Sequence, residues 1–186
     1  MGDSVMVWFA VAVLLFWSMG AYNRLVRFRS QGIAAFSVLE GLFNQHVLLV
    51  KNSIPDAGAV DAIPDMSQGH DTARATWIGL AAAAEQFNAC LKVVQAQPLN
   101  GPKMSALRTA YETLCLSWCR LRDLSSDPGA PGLPSTLQPQ WERLDLQTEI
   151  ARTEFNRRIE NYNEAIKQFP ALMLAWLFGF KLAQPI

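Results

Sequence analysis

Cys115 and Cys119 lie four residues apart in a stretch with helical periodicity, so both thiols would leave one face of a helix. With Cys90, His46 and His70 they make up every cysteine and histidine of the chain, and a soft metal ion is the chemistry such a set could do. The spacing is not that of a metal site. No Cys-x-x-Cys or His-x-x-x-His pair accompanies them, and a thiol beside Leu114 and Trp118 fits a small buried hydrophobe. His46 reads as a helix-face residue and His70 as a loop residue, so no metal and no cofactor are expected. Three cysteines, two on one helix, fit reduced thiols better than a disulfide framework.

Acid, base and nucleophile chemistry has no better footing. No Gly-rich phosphate loop, nucleophile elbow or His-Glu-x-x-His stretch occurs, and Gly129 and Gly132 stand among prolines rather than between a strand and a helix. Glu149, Glu154 and Glu160 read as carboxylates of a solvated helix face. Asn156 and Asn163 are seven residues apart, each just after an aromatic, and so share a helix face. An amide pair supplies hydrogen-bonding geometry but no acid, base or nucleophile. The pair could form a polar recognition strip; the preferred reading is that it flanks a seam and bonds across to a neighbouring helix, fixing register. Asn23 is expected to do the same. No enzymatic activity and no small-molecule substrate are expected. Sixteen basic and sixteen acidic residues leave no excess charge to attract nucleic acid.

The elements that would position these residues begin with residues 4–23, which contain no Lys, Arg, Asp or Glu. About twenty such residues in a helix match the roughly 30 Å hydrocarbon core of a bilayer. Trp8, Trp17 and Tyr22 are residue types favoured at membrane interfaces, and Arg24, Arg27 and Arg29 follow at once with no acid before Glu40. By the positive-inside rule the body is cytoplasmic and the N-terminus outside. A cleaved signal is the competing reading, but the charged n-region it needs is missing.

Beyond the anchor, helix breakers crowd residues 54–70 and 125–139, which read as loops, and Pro98, Asn100 and Gly101 mark a tight hairpin with Pro102 in the first turn of the next helix. Apolar residues recur at steps of three and four in between: Trp77, Leu80, Ala84, Phe87, Leu91, Val94; then Met104, Leu107, Tyr111, Leu114, Trp118, Leu121; then Trp141, Leu144, Thr148, Ala151, Phe155, Ile159, Tyr162, Ile166, Phe169. Leu25, Phe28, Gly32, Ala35, Leu39 and Leu42 continue a face directly from the anchor. The pattern predicts an all-α protein: a transmembrane helix over residues 1–24 continuing into an antiparallel bundle of about four helices over 25–170. Residues 171–186 form a separate apolar segment with Trp176, Leu177 and Phe178, too short to span a membrane comfortably. It could tuck onto the bundle, lie at the headgroup boundary or fill a partner's groove.

Two patches resemble the LemA family of bacterial membrane-anchored helical proteins. One is Tyr22-Asn23-Arg24-Leu25-Val26-Arg27-Phe28-Arg29; the other is Ala151-Arg152, Phe155-Asn156, Tyr162-Asn163, Ile166, Phe169-Pro170 and Gly179-Phe180, with Leu137-Gln138 where the family carries a Leu-Gln pair. The chain departs from the family at Phe36, usually Trp, and at Phe155, usually Tyr. Residues 44–53 lack the family's basic pair and its Asp-Leu-Ile-Pro-Asn-Leu-Val stretch. The resemblance implies a single-pass, N-outside topology, a helical cytoplasmic body and no established enzymatic activity. The expected role is a non-enzymatic scaffold or adaptor in a bacterial inner membrane, binding the bilayer and either a protein partner or itself. A regulator of a membrane protease or other envelope enzyme, and a homo-oligomeric membrane-shaping assembly, are the alternatives.

Overall fold

A computed structural model of the chain describes residues 2–54, 68–125, 133–134 and 136–186. The breakers Pro55, Gly58, Pro64, Pro128, Gly129, Pro131 and Gly132 lie outside the described residues. Five helices occur in the described part, α1 (Gly2–Ser53), α2 (Gln68–Gln95), α3 (Gly101–Leu124), α4 (Leu137–Lys167) and α5 (Ala171–Phe178), and no strand. The expected all-α class holds, with a long apolar N-terminal helix leading into a helical bundle. Gly69, His70, Gln138 and Pro139, expected in loops, instead belong to first helical turns. A proline is tolerated there because its nitrogen would lack an intrahelical partner anyway.

At about 1.5 Å per residue, the 52 residues of α1 extend for about 78 Å. Its second half is the spine of the bundle. It packs chiefly against α4, α2 packs chiefly against α3, and α1 joins the two pairs through α2. Neighbours run antiparallel: Lys51 pairs with Glu85 while Glu40 accepts from Gln95, and Phe36 meets Phe155 while His46 meets Trp141. Asn100 caps α3 by accepting from the Lys103 N–H, with Pro102 in the first turn.

The stripes read from the sequence of α2, α3 and α4 are the buried ones, except that Trp77 and Ala151 are half-buried and Phe169 is exposed. On α1 the buried face is Leu25, Gly32, Phe36, Leu39, Phe43, Val47 and Val50, while the expected Phe28, Ala35 and Leu42 sit at its margin. Gly32 sits close against α4: a Cβ there would stand 3.3 Å from Ile159 Cδ1. Aromatic rings run through the middle of the bundle. Phe43 meets Phe87 edge-on at 5.0 Å and Tyr111 at 4.9 Å, and Trp118 stacks on Trp141 at 4.4 Å with the planes 10° apart. Trp118 and Trp141 are both buried, so their stack ties α3 to α4. Trp118→Ala should lower unfolding free energy by about 3–5 kcal/mol in urea titration, as for other buried aromatics; unchanged stability would remove the stack from the core.

Candidate functional site

At the Trp17 end of the bundle, the patch around Tyr22 and the patch from Asn156 to Phe180 come together. Lys167 ends α4 because Pro170 cannot continue the ladder and disfavours helical geometry at Phe169. The chain turns back as α5, which packs on both α1 and α4. Its small side chains face inward, with Ala171 and Ala175 buried, while Leu172, Met173, Trp176, Leu177 and Phe178 point out; Trp176 is 87% exposed. Aromatic contacts fasten this turn to α1. Phe169 meets Trp17 edge-on at 5.3 Å, and Tyr22 packs on Phe178 at 5.0 Å and Phe180 at 6.0 Å.

Gly179 ends α5 in the left-handed conformation at φ +70, where a side chain would be strained. Residues 180–186 follow without regular secondary structure and lie along α4. Asn163 donates from Nδ2 to the Ala183 carbonyl at 2.8 Å and accepts from the Ala183 N–H at 2.9 Å. Asn156 does the same with both backbone groups of Ile186, each at 2.9 Å. A carboxamide has the donor and acceptor of a peptide group, so each asparagine acts as a strand partner would. The spacing fits. Seven helical residues rise about 10.5 Å, and three residues of extended chain cover about 10 Å, so positions 156 and 163 can meet 186 and 183 in register. The Tyr162 hydroxyl donates to the Lys181 carbonyl at 3.2 Å, Ser105 donates to the Gln184 side chain at 2.5 Å, and Ala183 and Ile186 are buried. Burial raises the Tyr162 phenol, opposed by the nearby Arg29 guanidinium.

These contacts correct two expectations. Asn156 and Asn163 bond to the chain's own C-terminal segment instead of a neighbouring helix, because a short irregular segment leaves peptide groups unpaired and a helix does not. Asn23 is exposed and makes no hydrogen bond among the described residues, since its side of α1 faces no other element. Trp8 is exposed as well, far from the contacts made by Trp17 and Tyr22. Arg152 pairs with Glu149 on the side of α4, and Phe155 is fully buried against Phe36, so these two family positions serve the bundle rather than its end. The pairing of Lys181, Ala183 and Ile186 was not foreseen; the one signal for it was an amide pair with no acid or base beside it.

Arg24 and Arg27 lie over the Phe28 ring, 5.4 and 5.9 Å from its centroid, and Arg29 lies 5.9 Å from that of Phe180. Among the described residues none of the three makes an ion pair. Beside them a groove of about 500 Å³ runs between α1 and the α4–α5 turn, with Val13 and Phe16 at one end and Arg24 at the other.

The other polar feature lies deep in the bundle. His46, expected on a helix face, lies on the buried face of α1, where Tyr111 and Trp141 close over it completely. Its Nδ1 donates to the Leu42 carbonyl at 3.2 Å, while its Nε2 and the buried Thr148 hydroxyl have no partner among the described residues. Tyr111 donates to Asp145 at 3.2 Å. Burial pushes the Cys115 thiol up to about 11, an unreactive state. Among the described residues no three His, Cys, Asp or Glu side chains gather as a metal site would require.

Two outcomes follow from this geometry. Asn163→Ala should speed amide exchange at Ala183 about tenfold, as loss of two hydrogen bonds implies, and Asn156→Ala should do so at Ile186, with α2 and α3 unchanged; unaltered protection would show that the amides do not hold the segment. Burial also lowers His46 below its ordinary 6.5, against the smaller opposing effects of the Leu42 hydrogen bond and Asp145. The unfolded chain therefore takes up that proton first. Stability contributed by neutral His46 is present above pH 6.5 and is lost as pH falls toward the depressed folded value, by at most about 1.4 kcal/mol per pH unit. Glu85 and Glu154, lowered from 4.5 by Lys51 and by Arg158 with Arg157, act only at lower pH. Urea midpoints at pH 7.5 and 5.5 should differ in the native chain and converge in His46→Phe.

Residues 104–185 match the sequence model of the LemA family. No curated protein and no solved structure matches the chain. The matched stretch takes in most of α3, all of α4 and α5, and nearly all of the docked segment; the Tyr22 patch lies outside it in sequence and against it in space.

Proposed function

We propose that the chain, whose residues 104–185 match the LemA family, a type without an established role, is a single-pass membrane scaffold or adaptor. The observation that carries the reading is the change of surroundings along α1. Its described side chains are almost all exposed and apolar from Met6 to Met19, and from Leu25 onward the same helix buries one face in the bundle. A helix with apolar side chains all round needs an apolar solvent, and α1 is long and apolar enough to cross a bilayer. Arg24, Arg27 and Arg29 at its inner end favour a cytoplasmic body and an external N-terminus, in a bacterial inner membrane.

A role in assembly fits how the family positions are used. Tyr22, Tyr162, Asn156, Asn163, Gly179 and Phe180 are engaged in holding the C-terminal segment, and Phe155 in the core. None of these lines a described cavity, whereas Arg24, Leu25, Phe169 and Pro170 line the groove beside α1. The exposed side of α5 is then the surface best suited to contact lipid or protein.

Cross-linking the full-length protein in its native membrane, then mild extraction and mass spectrometry, tests this. A stoichiometric foreign protein supports the adaptor or regulator, and a ladder of self-adducts supports a homo-oligomeric assembly. Only monomer, or release by alkaline carbonate, overturns the proposal. Leu177→Asp should reduce the cross-linked species while shifting bundle stability by no more than about 0.5 kcal/mol, since Leu177 is 67% exposed.

A further inference from the structure

We propose that the groove between α1 and the α4–α5 turn is a binding site for one phospholipid with an anionic headgroup, its acyl chain toward Val13 and its headgroup on Arg24. The inference rests on the anchored reading above and assigns a ligand to one part of it. The groove is apolar along most of its length, with Phe16 and Trp17 on the α1 side and Phe169 and Pro170 on the other. Arg24 is the one charged side chain that lines it and Gln168 the one amide, and Arg24 stands at the end of the α1 wall away from Val13. From Val13 to Arg24 is eleven helical residues, about 16 Å, close to the roughly 15 Å depth of one hydrocarbon leaflet. The apolar end therefore points into the bilayer and the cationic end toward the headgroups, the polarity of a phospholipid in the inner leaflet.

Charge selects the headgroup. Among the described residues Arg24 has no carboxylate partner, Arg27 approaches the same Phe28 ring, and Arg29 follows within two turns, so this end of the groove is rich in positive charge. A cation near an anionic leaflet favours the charged lipid about fivefold. The outward residues of α5 supply the remaining wall of apolar surface at the same level, because Phe178 and Phe180 both pack on Tyr22. A helix lying in the interface with its apolar side toward the acyl chains is a stable arrangement.

Gly20 makes the site testable without disturbing the fold. It lines the groove, an added Cβ would meet no atom within 4 Å, and replacing glycine within a helix raises helix propensity. The full-length protein would be extracted into detergent micelles holding equal amounts of phosphatidylglycerol and phosphatidylcholine, and bound lipid counted by native mass spectrometry. The native chain should retain one phospholipid, enriched about fivefold in phosphatidylglycerol. Arg24→Gln should lose the enrichment, and Gly20→Phe should lose the lipid, both with unchanged helicity and melting temperature. No retained lipid, equal retention of the two lipids, or unaltered binding in both variants overturns the site. Any of these in a protein that still resists carbonate extraction leaves the anchored scaffold standing, whereas extraction by carbonate defeats the scaffold itself.

Discussion

Between Trp17 and Leu25 the surroundings of α1 change from largely open to packed on one side, with no break in its backbone hydrogen bonds. A backbone left unpaired at such a boundary would cost several kcal/mol in an apolar medium, and an unbroken helix avoids that cost. The remaining architecture accommodates this continuity. Since α1 cannot bend away, α4 must come up alongside it, end where the packing ends, and return the chain without exposing polar backbone. Pro170 provides the stop, the two alanines of α5 let the returning helix lie close, and Gly179 reverses the chain so that residues 180–186 can run back down α4.

That last segment explains residues that otherwise have no evident work to do. A short extended piece has peptide groups that no helix can satisfy, and leaving them buried and unpaired would destabilise the end of the bundle. Two carboxamides at a spacing of seven solve the problem with little dependence on the sequence of the segment. Burial of Ala183 and Ile186 then contributes to the main apolar core. The family match over residues 104–185 covers this arrangement from Ser105 to the Gln184 it holds, with Ile186 one residue beyond.

The helices were legible because their faces differ. On α2, α3 and α4, charged residues alternate with apolar ones at the helical period, and the stripes read from the sequence are those that pack. On α1 apolar residues occur nearly all round, so periodicity alone could not say whether Ala35 and Leu42 or Phe36 and Phe43 point inward; α4 decides that. Which helix face carries His46 was illegible for a related reason. Its burial depends on Trp141 and Tyr111, which are distant in sequence. The docked segment was illegible because seven residues are too few for a periodic signal, and their partners are set by the fold. The joining of the two family patches could be suspected from the resemblance but placed only through Tyr22, Phe178 and Phe180.

The unbroken rise of α1 from Gly2 to Ser53 has a mechanical consequence on the proposed reading. From Leu25 to Ser53 the helix extends about 42 Å, and its packing against the bundle, with Phe43 held between Phe87 and Tyr111, stiffens that half. Transmembrane helices lean by different amounts in bilayers of different thickness. A lean of about 10° at such an anchor would swing the far end sideways by about 7 Å, so the bundle would act as a lever on the tilt of the anchor. The tip, near Lys51 and Glu85, would then sweep through the cytoplasm as the bilayer thins or thickens.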